Sequence, residues 1–361
     1  MKLAFKAPFN SLSFGQVSYN FIRELYKSGH EVAIFPIGNT VDIEAFPNID
    51  KGFLDWFKSS INGRFDLLEK DLPCLHLWHL RGSEDRISDR NFLYTFHEIN
   101  GVTKIEAKTC TLHNKVIFSS TFSRDLFTNK GLVNVHNVGI GFDEDIKVID
   151  RKYFEGIIHF GLVGKWEKRK NTAKIIESWI ELFGNKMDYK LTCLVDNPFF
   201  KPEIMAGLKK LALKGNEYRN ITFLPRQSNN IQVNEIYNAI NIDLSGLSSA
   251  EGWNLPAFNS TCLGKWSCVT NCTSHKDWAT KDNSILVEPS GLIEPYDGAF
   301  FSKGLDYNQG TVYNISTDSM KEAMMESVVR YKTTPTNENG IKLGKELTYT
   351  KSVASILELM K

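Results

Sequence analysis

Cysteine is scarce in this 361-residue chain, and none is arranged for pairing: Cys74, Cys110, Cys193, Cys262, Cys268 and Cys272 contain no Cys-x-x-Cys. That spacing argues against a disulfide scaffold or a zinc ribbon. It reads as reduced thiols, so a cytoplasmic location is expected. No apolar run approaches the length of a bilayer span, so no integral membrane segment is expected. The opening MKLAFKAPFNSLSFGQ lacks both a long apolar core and a small-residue cleavage site, and reads as a first β-strand rather than a signal peptide. Neither sign of charge dominates: 43 basic residues face 42 acidic ones. A purely electrostatic nucleic-acid binder would be more basic, although a neutral sum leaves room for a local basic patch. Arginine is the minority cation, with 11 Arg to 32 Lys, alongside 29 Asn. Lysine and asparagine have AT-rich codons, which points to an AT-rich genome such as those of many bacteria and large phages.

Several catalytic signatures are missing too. There is no Walker-type Gly-x-x-x-x-Gly-Lys-Ser/Thr, and no Ser or Cys nucleophile with a paired His and Asp is visible. His97-Glu98 is not a zinc-protease helix, because Gly101 stands where the second His is required. Gly161-x-x-Gly164 alone is too little for a dinucleotide site.

What is present is an ordinary globular composition, 42% hydrophobic and 24% charged, in a chain long enough for two domains. The first 37 residues read strand, loop, helix, strand. Leu3 to Ala7 is apolar, Pro8 to Gly15 is turn-forming, and a helical period runs from Val17 to Tyr26, ended by Gly29. Glu31 to Ile37 is a buried strand, and parallel strands joined by a helix predict an α/β sheet. Further strands are expected at Pro73–Leu80, Phe92–His97 and Lys115–Phe118, the last followed by serines that can cap a helix. A polar segment, Asp143 to Glu155, reads as an interdomain crossing. A second α/β series then begins at Ile157 and runs to helices over Met320–Tyr331 and Lys351–Met360. Two Rossmann-like halves facing a central cleft are expected. In such sheets ligands bind beyond the carboxyl ends of the strands.

Two of those crossing loops carry chemistry. Gly164-Lys165-Trp166-Glu167-Lys168-Arg169-Lys170-Asn171 follows a buried strand and opens a helix. Backbone N–H groups, the helix dipole and four cations favour a phosphate there; a solvated basic turn is the plainer reading. Ser248-Ser249-Ala250-Glu251-Gly252-Trp253-Asn254-Leu255-Pro256 is a second strand-to-helix turn. Gly252 permits close backbone approach and Pro256 suits a first helical turn. Glu251 there is either an acceptor for sugar hydroxyls or a partner for the helix dipole. His76 and His79 alternate with leucines and read mainly as structural, and His275 sits on a later loop.

These stretches carry a resemblance. HFGLVGKWEKRKNTAKIIESW, ITFLPRQ with VNEIYNAINIDLS, and SSAEGWNLPAFNSTCLGKWSCVTN resemble the donor domain of GT-B glycosyltransferases, specifically the retaining family 4 or "group 1" type. More weakly, SFGQVSYNFIRELYKSGHEVAIF, YTFHEI, KVIFSSTFSRDLF and VGIGFDED resemble its N-terminal half. SCVTNCTSHKDWAT is also similar to glycosyltransferases of large tailed phages.

The resemblance implies an N-terminal acceptor domain over 1–145, a nucleotide-sugar donor domain over 156–345, and a C-terminal helix, 346–361, packing back on the first. It implies that Lys165 and Lys170 hold the donor diphosphate without a metal, that Glu251 bonds the transferred sugar, and that His97 contacts it. It implies that Gly15 lets its loop approach the diphosphate, and that Gly164, Gly252, Trp253, Asn254 and Leu255 lie against the donor. The family's second glutamate, which commonly binds the ribose, is Asn259 here; Trp253 and Asn254 replace its Phe and Gly. The implied activity is hexosyl or pentosyl transfer from a UDP- or GDP-sugar, with no further cofactor.

The acceptor expectation is a hydroxymethylated pyrimidine in phage DNA, served by Lys51, Lys58, Arg64, Arg81, Arg86 and Arg90 with Phe53, Trp56 and Phe57 interleaved. A glycan or lipid acceptor, a catalytically inactive sugar-nucleotide-binding protein and a nucleotide-sugar epimerase are the alternatives.

Overall fold

Alternating strand and helix run along the chain twice. The computed structural model describes residues 1–38, 40–47 and 49–361. The first run is β1 (Lys2–Ala7), α1 (Ser13–Lys27), β2 (Glu31–Pro36), α2 (Lys51–Asn62), β3 (Cys74–Leu77), β4 (Asn91–Thr95), α3 (Lys104–Cys110), β5 (Lys115–Phe118), α4 (Thr121–Thr128) and β6 (Val135–Asn137). The second is β7 (Ile158–Val163), α5 (Thr172–Phe183), β8 (Tyr189–Leu194), α6 (Pro202–Ala212), β9 (Ile221–Phe223), α7 (Asn230–Ala239), β10 (Ile242–Gly246), α8 (Leu255–Cys262), β11 (Trp266–Thr270) and β12 (Ser284–Val287). A hairpin, β13 (Gly291–Ile293) with β14 (Val312–Asn314), and helices α9 (Thr317–Thr333), α10 (Glu338–Glu346) and α11 (Tyr349–Leu359) complete the chain.

Each run folds into a six-stranded parallel sheet, in the orders β2-β1-β3-β4-β5-β6 and β12-β11-β10-β7-β8-β9. Strands such as β4 and β7 are buried along their whole length, as parallel strands covered on both faces must be. The second core is dominated by Phe160, Trp179 and Phe183, each worth ~1.5–3 kcal/mol or more on burial. Strand order reverses between β1 and β3 in one sheet and between β7 and β10 in the other. At such a switch point two neighbouring strands send their loops apart and leave a crevice at their carboxyl ends.

Two elements depart from the sequence expectation. α1 begins at Ser13, four residues before Val17, because Asn10 Oδ1 accepts from the Leu12 N–H (2.9 Å) and turns the chain into the helix early. Residues 51–62 form an amphipathic helix, not a loop, opened by Asp50 accepting from the Phe53 N–H at 2.9 Å. This corrects the DNA surface. Phe53 and Phe57 are buried and stack on one another inside the core, Trp56 packs beside Tyr26, Arg64 lies over Phe35 and Phe65, and Arg90 donates to the Met360 carbonyl. The aromatics belong to the core and offer no platform to an unstacked base.

The polar crossing is pinned at both ends. Arg23 of α1 meets Asp143, Glu144 and Asp145, while the Lys147 and Ile149 N–H groups donate to Asn234 and Asn238 of α7. α11 lies against the first run: Ser352 donates to the Gly139 carbonyl, Thr350 to Glu24, and Lys115 to the Leu359 carbonyl. Among the described residues no helix is long and apolar enough to cross a membrane.

Candidate active site

The loops that leave β7 and β10 belong to adjacent strands at the switch point, so residues eighty positions apart meet. Lys170 Nζ lies 2.7 Å from Glu251 Oε1, and Arg169 Nη1 lies 2.9 Å from Glu251 Oε2. Arg169 also reaches Glu167 (Nε to Oε2, 2.9 Å) and the Ala250 carbonyl (2.7 Å), and Lys165 pairs with Glu167 Oε1 at 2.9 Å. Burial opposes the charge on Glu251, but Lys170 and Arg169 outweigh it and hold the carboxyl down at about 2. Glu167 is lowered in the same way, burial being overcome by Arg169, Lys170 and Lys165. Arg169 is raised, burial being overcome by Glu167, Glu251 and Glu98. Glu251, Glu167 and Arg169 are therefore held in their charged forms. Gly164, at φ +143°, joins Lys165, Lys170, Thr172 and Ser245 in lining one small cavity beside it.

Both helices that open here are entered through a left-handed asparagine. Asn171 (φ 54°) turns its amide across to the Leu247 carbonyl and Ser249 Oγ, both at 3.0 Å, and so ties the two loops together. Asn254 (φ 69°) caps α8 through the Ala257 N–H and donates to the Ser245 carbonyl (2.9 Å) and to His275 Nε2 (3.0 Å). Asparagine is one of the few residues that tolerates this conformation, which explains its presence where the resembled motif has Gly. His275 Nδ1 donates to the Thr270 carbonyl at 2.8 Å, which leaves Nε2 as the acceptor for Asn254. Burial holds this histidine neutral, at about 4. It supports the turn from behind rather than lining the cleft. Trp253 is buried with its ring against Gly139, and Leu255 opens α8 partly buried on the same core.

Other expected residues are placed differently. Gly15 lies in the first turn of α1, and the space a side chain would fill is taken by the Asn10 backbone; its close approach is to its own loop. Gly252 faces Phe96, whose Cβ would sit 2.7 Å from an added Cβ, and its carbonyl accepts from Ser119 Oγ. The glycine thus serves contact between the two halves. His97 is buried, and its Nε2 donates to the Gly101 carbonyl at 2.8 Å. Asn259 is nearly buried, and its Oδ1 has no partner. His76 is buried, but His79 is exposed beyond β3, packed on Phe14 at 4.3 Å. Among the described residues no group of three His, Cys, Asp or Glu comes together as metal ligands would.

The two halves meet around this site. Gln16 and Asn230 exchange amide hydrogen bonds, Thr121 donates to Asp277, and Glu98 Oε1 lies 3.5 Å from Arg169 Nη2. The excursion between β13 and β14 forms a strap onto the first half: Tyr307 donates to Glu84 at 2.6 Å, Thr103 to the Asp306 carbonyl, and the Asn308 N–H to Glu106. Its Phe301 packs with Ile99, Ala250 and Val312, directly beside Glu98 and Glu251 in sequence. The residues that sequence reading passed over are Arg169, Glu167 and Glu98. The first two stood in the charged run 165–170, but nothing in one sequence separates them from solvated neighbours.

No protein-family model matches the sequence, and no curated protein matches it either. Solved structures do match, by fold. Sucrose-phosphate synthase from Thermosynechococcus elongatus superposes with a TM-score of 0.71 at 10% identity, over 99% of this chain and 98% of that one. WaaG, a glycosyltransferase involved in lipopolysaccharide biosynthesis, gives 0.65 at 11% identity over 99% of both chains. Anabaena HepE, solved with UDP-glucose, gives 0.63 at 12% identity over 99% of this chain and 98% of that one. The fold is GT-B, shared over almost the full length with these proteins.

Proposed function

We propose that the chain is a retaining glycosyltransferase that moves a sugar from a nucleotide-diphosphate sugar, a UDP-sugar first, onto a hydroxyl of a glycan or a lipid-linked saccharide. The observation that carries this reading is the Lys170–Glu251 pair at 2.7 Å, set at the switch point of a GT-B fold. In this reading Lys170 and Lys165 neutralise the diphosphate beside the start of α5, where Thr172 lines the same small cavity. Fixed positive charge that stabilises the departing nucleotide lowers the barrier to breaking the glycosidic bond. Glu251 accepts hydrogen bonds from the sugar hydroxyls. Among the described residues Glu167 and Glu98 are turned to Arg169, no carboxylate is assigned as a nucleophile, and in this reading the leaving diphosphate takes the acceptor proton on the face from which it departs. Lys165 keeps the charge of the family's arginine but not its fork.

The fold neighbour HepE was solved with UDP-glucose, which supports a UDP-sugar donor, and WaaG is involved in lipopolysaccharide biosynthesis, which supports a saccharide acceptor. So does the aromatic group of half-buried Phe14 and Trp78 with exposed His79 on the facing half. The DNA reading loses the stacking residues it relied on.

The test is nucleotide release from UDP-, GDP- and ADP-sugars with glycan, lipid-linked and hydroxymethylated-DNA acceptors. Release with a saccharide acceptor, abolished in Lys170→Ala and Glu251→Ala, is the expected result. Wild-type rates in both variants would overturn the assignment. Donor binding without turnover on any acceptor would identify a sugar-nucleotide-binding protein, with Asn259 as the trace of lost chemistry.

A further inference from the structure

Glu251 divides its two oxygens between two cations, and the cations are not equivalent. Lys170 takes Oε1 and also lines the small cavity with Gly164 and Lys165. Arg169 takes Oε2 and faces inward, with only 8% of its side chain exposed. The same Nη1 donates to the Ala250 carbonyl at 2.7 Å, while Nε lies 2.9 Å from Glu167 Oε2 and Nη2 lies 3.5 Å from Glu98 Oε1. Its backbone carbonyl accepts from the Ser249 N–H at 2.7 Å. Arg169 therefore grips three successive residues, 249, 250 and 251, and has no donor turned toward the cavity.

A diphosphate entering beside that cavity competes with Glu251 for the Lys170 ammonium. Without a second partner, the carboxylate would be left charged and buried, which is strongly unfavourable. We propose that Arg169 is the positioning residue that keeps Glu251 ionised and in place when Lys170 turns to the donor phosphate, leaving Oε1 free for the sugar hydroxyl. This rests on the reading of the site as a sugar-nucleotide site. Arg169 touches neither phosphate nor sugar; it acts through Glu251. The Glu98 contact comes from the opposite half, so the grip is complete only when the halves are together, with Phe301 of the strap excluding water beside it.

The experiment separates binding, turnover and the titration of one carboxyl. The variants are Arg169→Met and Arg169→Lys, the second as a charge-preserving variant where the first fails to fold. The probes are UDP and GDP for binding, turnover of the best sugar nucleotide, and the pH titration of Glu251 by carbon NMR, assigned with Glu251→Gln. The charged groups facing Glu251 are Lys170 and Arg169, with neutral His275 and the Cys272 thiol as its other titratable neighbours, and those facing Arg169 are Glu98, Glu167 and Glu251. In Arg169→Met, nucleotide binding should stay within about threefold, kcat should fall at least a hundredfold, and Glu251 should titrate at least one pH unit higher. Arg169→Lys should recover the titration but only part of kcat, because an ammonium cannot reach Ala250 and Glu251 together. An unchanged Glu251 titration in Arg169→Met, or equal losses of nucleotide binding and kcat, would overturn the proposal. If the wild type bound no nucleotide and turned over no sugar nucleotide, the functional reading would fail with the donor step that rests on it, and a raised Glu251 titration would still show that Arg169 holds this carboxylate.

Discussion

The two walls of the cleft are built on one plan and furnished differently. In both halves, loops leave neighbouring parallel strands where the strand order reverses. On the C-terminal wall those loops carry Lys165, Glu167, Arg169, Lys170 and Glu251, joined in one network of ion pairs. On the N-terminal wall they carry Phe14, Trp78 and His79, packed ring to ring with Phe96, and Glu98 is the carboxylate that reaches across. The same geometry thus yields a charged wall suited to a phosphate and an aromatic wall suited to the flat face of a ring. On the proposed function, that division assigns bond-breaking to one half and acceptor choice to the other.

The sharpest way to break that division is to compare losses on the two walls. Lys170→Met is expected to lower kcat by about a thousandfold, the scale of removing a group aimed at developing charge. His79→Gln should cost less than tenfold and raise the KM of the acceptor alone. Steady-state kinetics with both substrates varied will decide it, and equal kcat losses would erase the distinction. The second comparison is between the two left-handed asparagines. Asn254→Ala should destabilise by about 3 kcal/mol, combining a lost cap, a left-handed alanine and an unpaired His275 and Ser245. Asn254→Gly should cost about half of that, because glycine accepts the backbone. Urea unfolding of both variants is the measurement.

A third prediction concerns the seam. A methyl at 252 meets Phe96, so Gly252→Ala should loosen the contact between the halves and raise the donor KM about tenfold, with little change in unfolding midpoint. The smallest effect is one of pH. Asp243 on β10 is fully buried, and burial pushes it up to about 7 against the opposing hydrogen bonds from Ser245. A carboxyl raised on folding gives stability that is complete below its unfolded value near 4 and is lost as pH rises through 7. Glu251 has the opposite sign: its contribution is present above about 4.5 and is lost as pH falls through about 2. Between pH 5 and 7 Asp243 alone of the two sets a slope, of at most ~1.4 kcal/mol per pH unit. Asp243→Asn should flatten the pH dependence of unfolding in that window.

Much of this was legible in the residues. Hydrophobic period and turn chemistry locate most of the strands and helices, and a carboxylate and a lysine at strand-to-helix turns locate the site. The helix at 51–62 was hidden because its buried face is aromatic and its exposed face is charged, which in one dimension looks like a ligand surface. Gly15 and Gly252 advertise close approach, but a sequence does not say to what; Asn10 and Phe96 answer only in three dimensions. Arg169 was masked by its neighbours, since burial alone separates it from Lys168.

The strap has a consequence for traffic. It leaves the second half after β13, is riveted to the first half at Glu84, Thr103 and Glu106, and returns at β14. One margin of the cleft is thereby laced shut, like a book with a ribbon across its fore-edge. On the proposed function, substrates and products would pass by the remaining margin, or wait until the lacing is undone, and the rate of product release would be set in part far from the bond being broken.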